Sequence, residues 1–235
     1  CSSDLLLAFA LLAGCGDTGQ PRVRRAAVGL GTPARDVEVG DYRVKLSIAR
    51  VGFGPAVFCA SRSASEDLCP SALAELTQVA PLDALSSAAQ PLGFVNGFVG
   101  TVRSAAFGYA ITWLPTEAKP QPKSAAQNGH SAHLEGTATH KTTGASFKFV
   151  IDADVTPLNR GDNAVSLTGL SAPLDEATAR LEVSVDPNAW VAQIDFNELA
   201  ASASDVVTIA SDGRAANAVV VGMTALAPPV FTFAR

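Results

Sequence analysis

Basic charge, histidine, cysteine and methionine are all scarce in this sequence. The 235 residues include 17 Lys and Arg against 22 Asp and Glu, with three His, four Cys and one Met. The net charge of −5 excludes broad nucleic-acid binding, because no surplus of Lys and Arg is available to neutralise phosphates. Charged residues make up only 17% of the chain and hydrophobic residues 48%, which excludes extended disorder as its global state.

The sequence also lacks the motifs that mark several large enzyme classes. It contains no phosphate-binding glycine loop, no zinc-protease helix motif and no dinucleotide fingerprint. Residues 129–133 read Gly-His-Ser-Ala-His, in which His133 replaces the last glycine of the hydrolase motif G-x-S-x-G. That motif needs a strand before it and a helix after it, whereas here a proline-rich loop precedes and a strand is predicted to follow. The sequence therefore favours a non-enzymatic protein, and an enzyme of unrecognised type is only the third hypothesis.

An apolar run near the N-terminus has the length of a signal-peptide core. Residues 5–14 read LLLAFALLAG, without a charge, and a membrane-spanning helix needs about 20 apolar residues. Residues 12–15 read Leu-Ala-Gly-Cys, which resembles the lipobox of bacterial lipoproteins. The resemblance implies that residues 1–14 are a signal peptide and that Cys15 is lipidated. A signal peptide begins with a positive segment that is missing here, so we expect the true start to lie upstream of Cys1.

The same resemblance implies where the protein is located. A lipid on Cys15 would anchor an exported chain to a membrane of the bacterial cell envelope. Gly16 rather than Asp follows this cysteine, and the sorting pattern of the family then implies the outer membrane. Residues 15–35 carry glycines, prolines and three arginines, which predicts a tether ahead of a single folded domain at residues 36–235. Such a basic segment can contact anionic headgroups, although a solvated linker is the simpler interpretation.

Two cysteines remain in the predicted mature domain, Cys59 and Cys69. Exported proteins can keep disulfides, and a bridge here would close a short loop and contribute about 2–3 kcal/mol in the chain-entropy model. Two cysteines at this spacing, with no histidine nearby, match no common zinc site. The sequence therefore predicts a disulfide between Cys59 and Cys69.

Short alternating segments separated by turn residues predict an all-β domain. Tyr42, Val44 and Leu46 alternate with polar residues, which is typical of a half-buried strand. We expect a mostly antiparallel sandwich or barrel-like fold with two or three short helices, including helices at residues 70–79 and 187–199. The predicted strands lie at residues 37–39, 42–48, 51–59, 93–113, 130–140, 146–155, 164–170, 179–185, 205–210 and 230–233.

One predicted hairpin collects most of the residues that could carry chemistry. A turn at residues 143–144 would place Glu135 opposite Asp152, and His133 opposite Asp154, all on the outward face. Like charges directly opposite each other are unfavourable, and a bound cation or a shifted carboxylate pKa would relieve the repulsion.

These four side chains, His133, Glu135, Asp152 and Asp154, form a candidate site for a divalent metal. His130 and Asp162 are looser candidates to join them, and the simpler alternative is a solvated hairpin face. The first functional prediction is therefore a lipid-anchored binding module for a small molecule or a protein partner. A metal-binding lipoprotein that uses the hairpin is the alternative.

Overall fold

A computed structural model describes residues 19–62, 72–110, 129–155, 165–202 and 204–235. Strands account for 54% of the structure and helices for 15%, which confirms the predicted all-β class. Within the described ranges the strands are β1 (Arg22–Leu30), β2 (Val37–Val39), β3 (Tyr42–Phe53), β4 (Ala56–Cys59), β5 (Ala72–Leu76), β6 (Ala80–Asp83), β7 (Gln90–Phe98), β8 (Gly100–Phe107), β9 (Ala132–His140), β10 (Ser146–Ala153), β11 (Val165–Leu174), β12 (Arg180–Ser184), β13 (Val206–Ile209) and β14 (Val230–Ala234). The helices are α1 (Pro187–Trp190), α2 (Phe196–Ala200) and α3 (Arg214–Val221).

The strands form two sheets. The larger sheet has the order β11-β8-β4-β5-β7-β1-β12-β14, and its end strands β11 and β14 approach each other, so that it nearly closes into a barrel. The smaller sheet has the order β13-β10-β9-β3-β2, and β6 pairs with the last residues of β3. Neighbouring strands are antiparallel except in the pairs β1–β12 and β10–β13.

Alternation of side chains along each strand creates the core between the sheets. In β3, Tyr42, Val44 and Leu46 are buried while the residues between them are exposed, as the sequence pattern predicts. The largest fully buried side chains belong to one continuous hydrophobic cluster, which includes Phe53, Phe58, Phe107, Tyr109, Phe149 and Trp190. Burial of this apolar surface is the main favourable term in folding.

The segment predicted as a tether is a central strand. β1 is paired on both sides, with β7 and with β12, and its Val23 and Ala27 are buried. The folded region therefore includes Arg22–Leu30, and the predicted boundary at residue 36 is wrong. Arg25 hides the strand pattern because it occupies an inward position. Its guanidinium donates hydrogen bonds to the carbonyl oxygens of Thr178 and Glu176.

The helix predicted at residues 70–79 is also wrong. Ala72–Leu76 is β5, which hydrogen-bonds to β4 on one side and β7 on the other. Leu73 and Leu76 are three residues apart, but Ala74 is buried as well, so the apolar positions do not follow one helical face. Pairing with two neighbouring strands outweighs a weak local helical pattern.

The helical region after Asp186 begins as predicted and is then interrupted. Asp186 caps α1 by accepting a hydrogen bond from the N–H of Asn188, and Pro187 is the first helical residue. The predicted helical region at 187–199 consists of α1, a 3₁₀ turn at Val191–Gln193 and α2, which Asp195 caps. The unassigned apolar run at residues 217–226 forms the end of α3 and a π-helical turn, Gly222–Leu226.

Several predictions concern residues that the structure does not describe. Cys15, Cys69 and Asp162 lie outside the described ranges, so lipidation and the disulfide of the buried Cys59 stay predictions. In the part of the chain that is described, no helix is long and apolar enough to cross a membrane.

Candidate functional site

The hairpin of β9 and β10 forms as predicted, but in a register that differs by two residues. Asp152 lies opposite His133, and Val150 lies opposite Glu135. The predicted pairs of His133 with Asp154 and of Glu135 with Asp152 are therefore wrong. Because side chains alternate with a period of two, a shift of two residues leaves each one on its predicted face.

The shift follows from the length of the turn. The N–H of His140 donates to the carbonyl oxygen of Ala145 at 2.8 Å, so four residues form the loop between them. The prediction assumed a two-residue turn centred on residues 143–144. Gly144 instead ends the loop with a φ of 71°, which is the left-handed conformation that a longer hairpin loop needs at this position.

Five side chains on this face form a continuous row in which carboxylates and imidazoles alternate. His133 Nε2 lies 3.1 Å from Glu135 Oε1, and His133 Nδ1 lies 2.7 Å from Asp152 Oδ1. The other oxygen of Asp152 is 3.8 Å from His130 Nε2, and His130 Nδ1 is 3.0 Å from Asp154 Oδ1. We call these five residues the histidine–carboxylate row. His130 joins the four predicted residues, as the looser prediction allowed.

His133 is the most buried residue of the row. Its side chain is only 4% exposed, and both of its ring nitrogens face carboxylate oxygens. Burial lowers the pKa of His133, but the hydrogen bonds and negative charges of Asp152 and Glu135 outweigh burial, so the pKa is raised from its ordinary value. When it is protonated, this imidazole supplies the positive charge that a bound cation was expected to bring.

This geometry gives little support to a metal centre. Across the described ranges, no group of three or more His, Cys, Asp or Glu side chains is arranged to hold a metal ion. A metal on His133 would have to displace a carboxylate from one of its nitrogens. His130 Nε2 and Asp152 Oδ2 are too far apart for a hydrogen bond, but two ligands are fewer than the three that catalytic zinc sites use.

Ser131, the serine of the partial hydrolase motif, has a structural role. It is fully buried, and its hydroxyl donates to the carbonyl oxygen of Tyr109 at 2.7 Å. Ser131 Oγ in turn accepts a hydrogen bond from the N–H of Val155 at 3.1 Å. Both bonds tie separate segments together, so the hydroxyl is not presented to a substrate.

A second site, which the sequence analysis missed, lies where the larger sheet fails to close. A cleft of about 530 Å³ separates β11 from β14, and we call it the seam cleft. Polar groups from Thr32, Ser184 and Asp186 lie along it. The remaining lining is apolar and comes from Leu167, Leu170, Val185, Leu226, Ala227, Pro228, Pro229, Val230 and Phe231.

The seam cleft contains the most exposed large hydrophobic side chains of the described residues. Val230 is 61% exposed and Leu226 is 58% exposed, whereas Val206 and Val221, which lie elsewhere, are each 47% exposed. Exposed apolar surface gathered in a concave site is typical of ligand or partner binding. The signal in the sequence that could have indicated this site is the double proline at residues 228–229, which interrupts an apolar segment. Proline cannot continue a helix, and it has no N–H to donate to a neighbouring strand.

Hydrogen bonds hold the polar wall of the seam cleft in place. The guanidinium of Arg35 contacts the carboxylate of Asp186 at 2.8 Å, and Thr32 Oγ1 donates to the carbonyl oxygen of Val185 at 3.0 Å. On the opposite wall, Trp190 Nε1 donates to the carbonyl oxygen of Ala227 at 3.0 Å. The cleft is therefore formed before any ligand arrives.

A third concavity, of about 460 Å³, lies between α2, β13 and α3 and is more polar. Its lining includes Glu198 and Arg214, which form an ion pair at 3.4 Å.

No protein-family model, curated protein or solved structure matches this chain. Its function is therefore inferred from the geometry of these sites.

Proposed function

We propose that this chain is an exported, lipid-anchored and non-enzymatic binding protein, whose seam cleft holds a small, elongated apolar ligand. The observation that carries the proposal is the coincidence of a preformed cleft with the two most exposed large hydrophobic side chains of the described structure, Val230 and Leu226. A volume of about 530 Å³ falls within the range of roughly 300–1,000 Å³ that small-molecule sites occupy.

The lining suggests the chemistry of the ligand. Leucine, valine, proline and phenylalanine side chains offer dispersion contacts and favour a hydrocarbon body, such as an acyl chain. The carboxylate of Asp186 is already neutralised by Arg35, so a charged group on the ligand would gain little there. Thr32 and Ser184 favour a neutral polar end, such as an ester or a hydroxyl group.

Lipid anchoring and export to the envelope are supported by residues 1–15 alone, through the apolar run and the lipobox-like Leu-Ala-Gly-Cys. Replacing Cys15 with Ser in the full chain should release the protein from membranes when cells are fractionated. A variant that stays with the membrane fraction would refute the lipid anchor, and it would leave the proposal for the seam cleft intact.

Binding in the seam cleft can be tested with N-phenylnaphthylamine, an uncharged apolar probe that fluoresces when it leaves water. We expect saturable binding to the unmodified protein and at least about tenfold weaker binding to Val230→Arg, because a charged group in an apolar site is costly. Val221→Arg is the matched control, since it adds the same charge at an exposed valine outside the cleft. Equal binding by both variants would refute the proposal.

We do not propose the metal-binding alternative, because both nitrogens of His133 are engaged by carboxylates. Elemental analysis of protein purified without a histidine tag, beside His133→Ala, would still detect a metal. A stoichiometric metal that is lost in His133→Ala would restore that alternative.

A further inference from the structure

Two exposed arginines on the outer face of the larger sheet are stacked on aromatic rings. The guanidinium carbon of Arg24 lies 4.2 Å from the ring centroid of Phe94, and that of Arg22 lies 5.9 Å from the ring centroid of Phe98. In the pairing of β1 with β7, Arg22 is directly opposite Phe98, and Arg24 is diagonal to Phe94, which lies two residues from its partner Asn96 on the same face. We call these four residues the arginine–phenylalanine patch.

The arginines of this patch differ from the five arginines that form ion pairs in the described part of the chain. Five exposed arginines bind a carboxylate within 3.4 Å, namely Arg35, Arg43, Arg180, Arg214 and Arg235. Arg22 and Arg24 form no ion pair with any residue that the structure describes. The residue opposite Arg24 is the neutral Asn96, and the exposed Glu75 of β5 lies on the far side of Asn96 without an ion pair to either arginine. Glu182 of β12, which pairs with Val28, is bound to Arg180.

Phe94 adds an apolar component to this unpaired charge. Its side chain is 43% exposed, which makes it the only aromatic among the large exposed hydrophobic residues of the described chain. A guanidinium stacked on a ring keeps its N–H groups free along its edge, where they can bind phosphate oxygens in a bidentate manner. Arginine beside an exposed aromatic ring is a combination suited to the headgroup layer of a membrane.

We propose that the arginine–phenylalanine patch rests on the anionic headgroups of the bilayer that holds the protein. The location rests on the proposed lipid anchor. Arg22 follows Cys15 by seven residues, and an extended chain spans at most about 3.6 Å per residue, so β1 begins within about 25 Å of a lipidated cysteine. An anionic membrane surface repels the protein as a whole, because its net charge is −5, but attracts the two arginines of the patch. The protein would therefore turn this patch towards the membrane.

The test uses the chain from residue 15 onward with Cys15→Ser, which contains every described residue and carries no lipid. Its binding is measured by sedimentation with vesicles of phosphatidylcholine alone and of phosphatidylcholine mixed with phosphatidylglycerol. We expect binding only to the vesicles that contain phosphatidylglycerol. The double variant Arg22→Ala with Arg24→Ala should reduce it by at least about tenfold, and added salt should do the same.

A matched control removes the same charge from another part of the surface. Arg43→Ala with Arg214→Ala also deletes two exposed arginines, but neither lies on β1 or β7. Equal loss in both double variants, or equal binding to both kinds of vesicle, would overturn the proposal. Because this protein has no lipid, a negative result would leave the anchor at Cys15 to be judged by the fractionation experiment.

Discussion

The histidine–carboxylate row and the seam cleft differ in whether their groups are already satisfied. In the row, both nitrogens of His133 face carboxylates, and each carboxylate has an imidazole within 3.8 Å. In the seam cleft, Leu226 and Val230 remain more than half exposed and have no cover. Residue types associated with catalysis therefore mark the site that is complete by itself, whereas ordinary apolar residues mark the site that has surface left to bury.

The largest expected effect on stability comes from a substitution in the histidine–carboxylate row. His133→Ala removes the group that neutralises Asp152 and Glu135, and it should lower the free energy of unfolding by about 2–3 kcal/mol. Urea denaturation followed by circular dichroism would measure the change. His140→Ala is the control, because that ring accepts hydrogen bonds from two backbone N–H groups and forms no ion pair with a described carboxylate. A loss below about 0.5 kcal/mol for His133→Ala, the level of an ordinary surface substitution, would contradict the account.

The second prediction concerns pH. Since the folded state raises the pKa of His133, its stabilising contribution should be complete below the unfolded pKa of about 6.5 and should disappear as the pH rises through the folded pKa. Glu135 and Asp152 face this ring, and the exposed Arg50 lies opposite His133 in the pairing of β3 with β9. Unfolding measured at a series of pH values should show a decline above neutrality that is reduced in His133→Ala. A decline of the same size in that variant would assign the titration to another group.

The sequence predicted the faces of the hairpin better than its pairing. His133 and Asp152 were placed on one face correctly, because alternation alone decides the face. Their direct pairing was missed, because it depends on a loop of four residues whose left-handed position is Gly144, and several loop lengths fit the same letters. Arg25 similarly concealed β1, since an inward arginine is explained only by the carbonyl oxygens that it reaches in a distant turn.

The seam cleft could not be predicted for a different reason. It exists because β11 and β14 end the same sheet, and the strand order that brings them together follows no simple chain order. The exposure of Leu226 and Val230 is a consequence of that topology. No local pattern distinguishes these two residues from leucines and valines in the core.

A third prediction separates stability from binding in the seam cleft. Val230→Thr should change the free energy of unfolding by less than about 0.5 kcal/mol, because the side chain is mostly exposed in the folded protein. The same substitution should weaken binding of N-phenylnaphthylamine several-fold, since it places a hydroxyl group against the apolar ligand. Thermal unfolding and a fluorescence titration of one preparation would test both. A large loss of stability would show that Val230 supports the fold rather than the ligand.

The smallest expected effect is at the rim of the seam cleft. Arg35→Ala removes an exposed ion pair with Asp186 and should cost no more than about 1 kcal/mol of stability. It should also leave a carboxylate without its counter-charge beside the cleft, so cationic apolar probes should bind better than they do to the unmodified protein. Competition between a neutral and a cationic probe of similar size would reveal the change. An unaltered preference would show that Asp186 does not face the ligand.

The most direct test of the central claim is a methyl NMR titration with an uncharged acyl-chain ester. Ligand in the seam cleft should shift the methyl signals of Leu226, Val230 and Val185 in a saturable manner. The signals of Val206 and Val221, which are exposed but lie outside the cleft, should stay in place. Shifts confined to the last two valines, or no saturable shift at any of the five, would contradict the account.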